Sequence, residues 1–276
     1  MKFFKAHGLG NDFVLFDGRD AEAVDWTALA KAICDRHTGV GADGVLILLR
    51  SAIADVRMRI INADGSEAEM CGNGIRAFAR YCFENGVIRG TEFSVETGAG
   101  VMKPCIILKN GRVWGVRVDM GEPLLDAADV PVNVDGRALG MLLTVQDRSF
   151  SFSSVRVGVP HTVVFVDRLN ESDVPKYGPL IENDPLFPKR TNVDFVEVLS
   201  NDRIRMRTWE RGCGCTLACG TGACAAAVAC ALSGKTERTV TVEIERGTLL
   251  IEWPESDNRV YLTGPAEIVF SGVWNR

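Results

Sequence analysis

Two stretches of this chain carry the same phrase, Cys71-Gly72-Asn73-Gly74 and Cys219-Gly220-Thr221-Gly222, separated by 219 − 71 = 148 residues. Arg57-Met58-Arg59 recurs as Arg205-Met206-Arg207 at the same offset, and Val95-Glu96 returns as Val242-Glu243 at 242 − 95 = 147. Three matches in near-constant register mark an internal duplication. The 276 residues are therefore expected to form two similar units, each of ordinary domain size. Each copy of the phrase precedes an Ala-rich helical pattern, so each unit delivers one thiol at the start of one helix.

The elements around the two phrases follow from periodicity. Stretches rich in β-branched residues with alternating polarity read as strands: 13–17, 44–49, 56–61, 92–97, 106–108 and 112–118, then 155–157, 162–166, 193–199, 205–209, 240–245, 249–253 and 259–262. Three stretches read as helices: 26–36 after the cap candidate Asp25, 74–85 ending at Gly86, and 222–232 ending near Gly234. The Pro-rich stretch 175–188 reads as a loop with a short helix. No dinucleotide-type glycine motif opens a helix, since the Gly39-to-Gly44 string leads into a strand and reads as a turn.

The expected fold class is therefore α+β, with two pseudo-symmetric domains, each a long helix packed in a curved mixed β-sheet. The expected first domain is 1–116 plus 264–276, the chain returning at Gly264-Pro265, and it carries Cys71. The second is 117–263 and carries Cys219, with the active site expected in the cleft between them.

Charge and composition exclude several classes of function. A formal net charge of −5 with no Lys/Arg cluster argues against a nucleic-acid partner. The opening MKFFKAHGLGND lacks the apolar run of a signal peptide, and no segment reaches membrane-spanning length. A cytoplasmic location without a membrane partner is the expectation. Nine cysteines is an odd count, and in a reducing compartment they are expected to be free thiols. Cys34, Cys82, Cys224 and Cys230 fall in helical patterns and Cys105 in a strand-like one, where cysteine behaves as a small buried hydrophobe.

A cysteine at a helix start has its sulfur near unpaired backbone N–H groups and the positive end of the helix dipole, which favour thiolate. The same N–H groups bind carboxylate or phosphate. One such motif would suit a thiol nucleophile, a phosphate site or a carboxylate site. Two in pseudo-symmetry narrow the choice: opposed helix starts hold one carboxylate while one thiolate removes an α-proton and the other thiol supplies one. The result is inversion of configuration without a cofactor. A cysteine protease would need one thiol and a histidine, leaving the second copy unexplained. The alternative outside enzymology is a zinc-binding structural module on Cys213, Cys215, Cys219, Cys224 and Cys230. Their spacing departs from the paired C-x₂₋₄-C arrangement, so no metal is expected.

With these residues assembled, the chain resembles the diaminopimelate epimerases, amino-acid epimerases that work without pyridoxal phosphate. The resemblance rests on His7-Gly8-Leu9-Gly10-Asn11-Asp12-Phe13, RHTGVGAD from Arg36 to Asp43 and NADGSEAEMCGNGIR from Asn62 to Arg76. It continues with Pro160-His161, Asn192 and ERGCGCTLACGTGA from Glu210 to Ala223. It implies that Cys71 and Cys219 are the acid/base pair and that no cofactor takes part. It further implies that Gly72, Asn73, Gly220 and Thr221 hold the reacting carboxylate, that Asn11, Asn62, Asn192, Glu210 and Arg211 contact the rest of the substrate, and that His161 and Glu210 adjust the thiols. Arg211 and Glu210 suit the carboxylate and ammonium of a distal zwitterion. The implied partners are a small amino-acid substrate and a second copy of the chain in a homodimer. This chain departs from the family pattern at Gly44, where glutamine is usual, at Val159 for asparagine, and at Cys215 for glutamate. A racemase of the proline, histidine or lanthionine type with the same two thiols is the other enzymatic reading.

Overall fold

The repeated residues occupy repeated places in two folds. The computed structural model describes residues 1–21 and 24–275, and the chain divides into one unit of Met1–Val118 with Thr263–Arg276 and another of Asp119–Leu262. Arg276 itself lies outside the described residues.

In the first unit β1 (Lys2–Gly8) and β2 (Asn11–Asp17) form an antiparallel pair. Helix α1 (Trp26–Ile33) crosses to β3 (Gly44–Leu49), which runs parallel to β2, and β4 (Val56–Asn62) returns antiparallel to β3. The short β5 (Glu67–Ala68) folds back on β4 just before α2 (Gly72–Glu84). Helix α2 leads to β6 (Val95–Thr97), parallel to β4 with Val56 opposite Val95, and β7 (Gly100–Met102) ends that side of the sheet. The other side ends with the strand Glu267–Val273 beside β1. A hairpin of β8 (Cys105–Lys109) and β9 (Arg112–Asp119) follows β7 in sequence. Strand β3, GVLILL, is an unbroken apolar run because both of its faces are covered. Val45 and Ile47 pack with Trp26, Ala30 and Ile33 of α1. Alternate residues point the other way, toward α2, where Leu46 lies beside Gly74.

The second unit repeats this succession. Its strands are β10 (Met141–Val145), β11 (Arg148–Val157), β12 (Val159–Val166), β13 (Asn192–Ser200), β14 (Arg203–Glu210), β15 (Gly214–Thr216), β16 (Thr239–Ile244) and β17 (Gly247–Glu252). Helix α3 (Asp173–Glu182) joins β12 to β13, and α4 (Gly220–Leu232) joins β15 to β16. The strands run in the order β10-β11-β12-β13-β14-β16-β17, with β15 on β14. Register follows the duplication: Phe13 lies opposite Gly44 in the first unit and His161 opposite Asn192 in the second, each pair 148 apart. Ile204 opposite Val242 repeats Val56 opposite Val95.

Helix α4 is Ala-rich because it is buried all round, as a helix packed inside its sheet must be. Ala223, Ala225, Ala226 and Ala229 are fully covered and it touches β11, β12, β13, β14, β16 and β17. Among the described residues no helix is long and apolar enough to cross a membrane.

Some local expectations change. Helices α2 and α4 start two residues earlier than the pattern suggests, at Gly72 and Gly220, so the cysteines are the caps themselves, in extended conformation (φ −143° and −121°). The motif glycines are helical, and Gly74 and Gly222 allow close approach of neighbouring strands. The stretch expected as a loop with a short helix holds that helix as α3, which starts earlier, at Asp173, and is ten residues long with Pro175 in its first turn and Pro179 inside. Pro175 costs nothing there because first-turn N–H groups have no intrahelical partner. The face Val174, Tyr177, Ile181 buried in the core of the unit sustains the rest.

Candidate active site

Each thiol sits at a helix start with its own set of partners. In the first unit Cys71 is half-buried and caps α2, its Sγ accepting from the Gly74 N–H at 3.4 Å. The same sulfur lies 3.6 Å from Asn11 Oδ1, which also accepts from Asn73 Nδ2 at 3.2 Å. Asn11 holds that orientation because its Nδ2 donates to Asp43 at 2.7 Å. Asp43 also accepts from the Asp12 N–H and, with Asp12, from Arg36. Lys5 donates to Asp12 and to the Gly41 carbonyl. Burial works to raise the Asp12 carboxyl, but the hydrogen bonds from Arg36 and Lys5 outweigh it and hold it below its usual range. Beneath the turn, fully buried Arg76 donates to the Gly72 carbonyl, to Asn73 Oδ1 and to the Pro265 carbonyl.

In the second unit Cys219 is 8% exposed and caps α4. Its Sγ lies 3.5 Å from Thr221 Oγ1, which is 2.9 Å from His161 Nε2. His161 Nδ1 is 2.7 Å from Asp194 Oδ2, and Thr208 donates to Asp194 Oδ1 at 2.7 Å. Both side chains of the His161–Asp194 pair are completely shielded from solvent. Burial, then the negative charges of Glu210 and Asp194, push the Cys219 thiol well above its ordinary range.

The remaining polar residues hold one another. Asn192 donates to the Pro160 carbonyl and accepts from the Arg211 N–H, both at 2.9 Å. Glu210 accepts from Thr216 at 2.6 Å, Arg211 donates to the Lys189 carbonyl at 2.8 Å, and Asn62 donates to Ser66. Of the other cysteines, Cys213 and Cys215 are exposed, while Cys224 and Cys230 are buried in α4. At Gly44 a Cβ would come 2.9 Å from the Ile61 carbonyl, so this backbone leaves no room for a longer side chain.

The model of one enzyme family, described as diaminopimelate epimerase, matches residues 3–125 and 153–269. The chain belongs to the diaminopimelate epimerase family. Members of this family are isomerases, and the match spans both thiol-bearing turns. Similar relatives include the diaminopimelate epimerases of Pelotomaculum thermopropionicum, 53% identical over 99% of each chain, and of Desulforudis audaxviator, 52% identical over the full length of both. Among solved structures, a phenazine biosynthesis protein of the PhzF family from Bacillus anthracis superposes with a TM-score of 0.71 at 16% identity, covering 99% of this chain and 98% of its own. A probable proline racemase from Agrobacterium radiobacter gives 0.69 at 16% identity over 99% of this chain and 92% of its own. These two share the fold of the diaminopimelate epimerase family member described here.

Sequence reading missed Asp43, Arg76, Asp194 and Thr208. A signal for Asp194 exists: it lies two residues from Asn192 in β13, hence on the same face, as an acid flanked by Val193, Phe195 and Val196. Asp43 sits in the RHTGVGAD string, but its partner Asn11 is distant in sequence. Only the fold joins them.

Proposed function

We propose that the chain interconverts LL- and meso-2,6-diaminopimelate without pyridoxal phosphate, supplying precursors of lysine and peptidoglycan. Cys71 and Cys219 act as the acid/base pair at one α-carbon. One removes the proton as thiolate while the other donates as thiol, and the roles exchange in the reverse direction. The observation that carries this reading is the pair of cysteines capping α2 and α4 in duplicated turns. A carboxylate bound by first-turn N–H groups of Gly72-Asn73 and Gly220-Thr221 gains stabilisation as negative charge grows at its α-carbon. Asn11, Asn62, Asn192, Glu210 and Arg211 contact the rest of the substrate, Arg211 taking the distal carboxylate and Glu210 the distal ammonium. His161 and Glu210 adjust proton affinity at the thiols. No metal and no cofactor is needed for proton exchange between two thiols.

The working form is a cytoplasmic homodimer. The end strand Glu267–Val273 leaves Val269, Phe270 and Val273 between 49% and 65% exposed, an apolar edge of the kind that a second copy covers.

Incubation with LL-diaminopimelate in deuterium oxide should place deuterium at one α-carbon of the meso product. Cys71→Ala and Cys219→Ala should each lower kcat by about 10²–10⁴-fold, the range for loss of one acid/base group. Undiminished inversion in both variants would sink the mechanism.

A further inference from the structure

The two units differ at one layer directly beneath their thiols. Stepping 148 residues from His161, Asp194 and Thr221 gives Phe13, Leu46 and Asn73. The first unit therefore fills with an aromatic ring and a leucine the space where the second holds an imidazole and a carboxylate. The polar version is buried and continuous: Asp194 to His161 at 2.7 Å, His161 to Thr221 at 2.9 Å, Thr221 to Cys219 at 3.5 Å.

The donors in this chain have one consistent direction. An ionised Asp194 accepts only, so the shared proton belongs to His161 Nδ1. With one proton on the ring, Nε2 is an acceptor and takes the Thr221 hydroxyl proton. Thr221 Oγ1 is then left to accept from the Cys219 S–H. We propose that Asp194 is a positioning residue that sets this direction through His161 and Thr221, keeping the proton on Cys219 and making the second unit the acid side of the substrate-free enzyme. The inference builds on the reading of Cys219 as an acid/base group, and it assigns that group a resting state.

The charged and titratable groups around Cys219 come from several elements. Glu210 and Arg207 lie on β14, Asp194 on β13, His161 on β12, and Glu245 follows β16. Arg207 gives its guanidinium to the Met206 carbonyl and to Glu171. Glu210 and Asp194 both disfavour thiolate at Cys219, in the same sense as the hydrogen-bond direction.

Asp194→Asn tests the proposal because it reverses the chain while keeping the shape. With the amide oxygen retained on Thr208, the amide nitrogen donates to His161 Nδ1, so the ring proton moves to Nε2. Thr221 then accepts from the ring and turns its own proton toward Cys219, now favouring thiolate. Loss of the carboxylate charge acts in the same sense.

The measurement is the pH dependence of iodoacetamide alkylation at each cysteine, followed by peptide mass spectrometry on the full-length enzyme without substrate. The midpoint for Cys219 should fall by about one pH unit or more in Asp194→Asn, with Cys71 unmoved. The shift should shrink in a Thr221→Val background, where the relay is cut. An unmoved or raised Cys219 midpoint overturns the proposal, and so does an equal shift with Val at 221, which would mean charge acting through space alone. Nitrogen-15 NMR of His161 in the wild-type protein supplies a check that does not depend on the variant folding: the Nδ1–H tautomer is expected, and the Nε2–H tautomer overturns it. Titration without substrate also separates this proposal from the catalytic reading, which stands or falls on the turnover of the cysteine variants.

Discussion

At Gly222, helix propensity and packing pull in opposite directions. Alanine in an exposed helix would gain about 1 kcal/mol over glycine. Here its Cβ would lie 2.6 Å from Asp194 Oδ1, and that carboxylate is pinned by His161 and Thr208. Overpacking of a rigid site costs about 1–3 kcal/mol, so packing wins and Gly222→Ala should lower stability by about 2 kcal/mol in urea unfolding. The matching Gly74→Ala meets Cys71 Cβ at 3.4 Å, an ordinary contact, and two side-chain ends, Leu46 Cδ2 at 3.2 Å and Phe13 Cζ at 3.5 Å. Those can yield, and the change should stay within about 1 kcal/mol of wild type. Equal losses at the two positions would mean that the polar layer under Cys219 is no more rigid than the apolar one under Cys71. The glycines were plain in the sequence, but the reason for them was not, because their closest neighbours lie in other strands.

At the scale of elements, α3 governs the end of β14, where Glu210 lies and which Arg211 follows. Its Gly178 leaves space for Trp209, since a Cβ there would be 2.6 Å from the indole. Trp209 Nε1 donates to buried Glu182 at the end of α3, at 2.7 Å, and Arg190 donates to the other oxygen of the same carboxylate at 3.1 Å. Trp209→Phe keeps the aromatic contact but removes one charge-assisted hydrogen bond, a loss of about 1.5–3 kcal/mol. Urea unfolding should show a loss in that range. A neutral result would mean that Arg190 alone satisfies Glu182. The helix itself was legible only in part, because Pro175 and Pro179 argue locally against it. Its tertiary packing decides the matter: Val174, Tyr177 and Ile181 bury into the core formed by β11, β12 and β13 residues such as Phe150, Val164 and Phe195. Propensity yields to burial when an amphipathic face has a partner.

At the scale of the molecule, the end strand Glu267–Val273 combines an edge position with exposed apolar residues. If it is the homodimer contact, Val269→Lys with Val273→Lys should convert the dimer to monomer in sedimentation velocity while leaving the far-ultraviolet circular dichroism unchanged. Both side chains are more than half exposed in one chain, so the exchange removes no core contact. A dimer that persists would place the interface elsewhere. The duplicated topology was readable from residue identities alone, since Cys71 and Cys219, Arg57 and Arg205, and Val95 and Val242 repeat at an offset that the strand register preserves. The helix starts were readable to within two residues, because a cysteine followed by glycines and then by an alanine-rich run ends one backbone conformation and begins another. What the two thiols touch was not readable. Asn11 reaches Cys71 across 60 residues and is held by Asp43, and Asp194 is linked to Cys219 by hydrogen bonds through His161 and Thr221, the three linking side chains coming from β13, β12 and α4. Local sequence determines where backbone conformation changes, because capping and periodicity act over a few residues. The proton affinity of a thiol depends on charges and burial a few ångströms away, and that neighbourhood exists only after distant strands have paired.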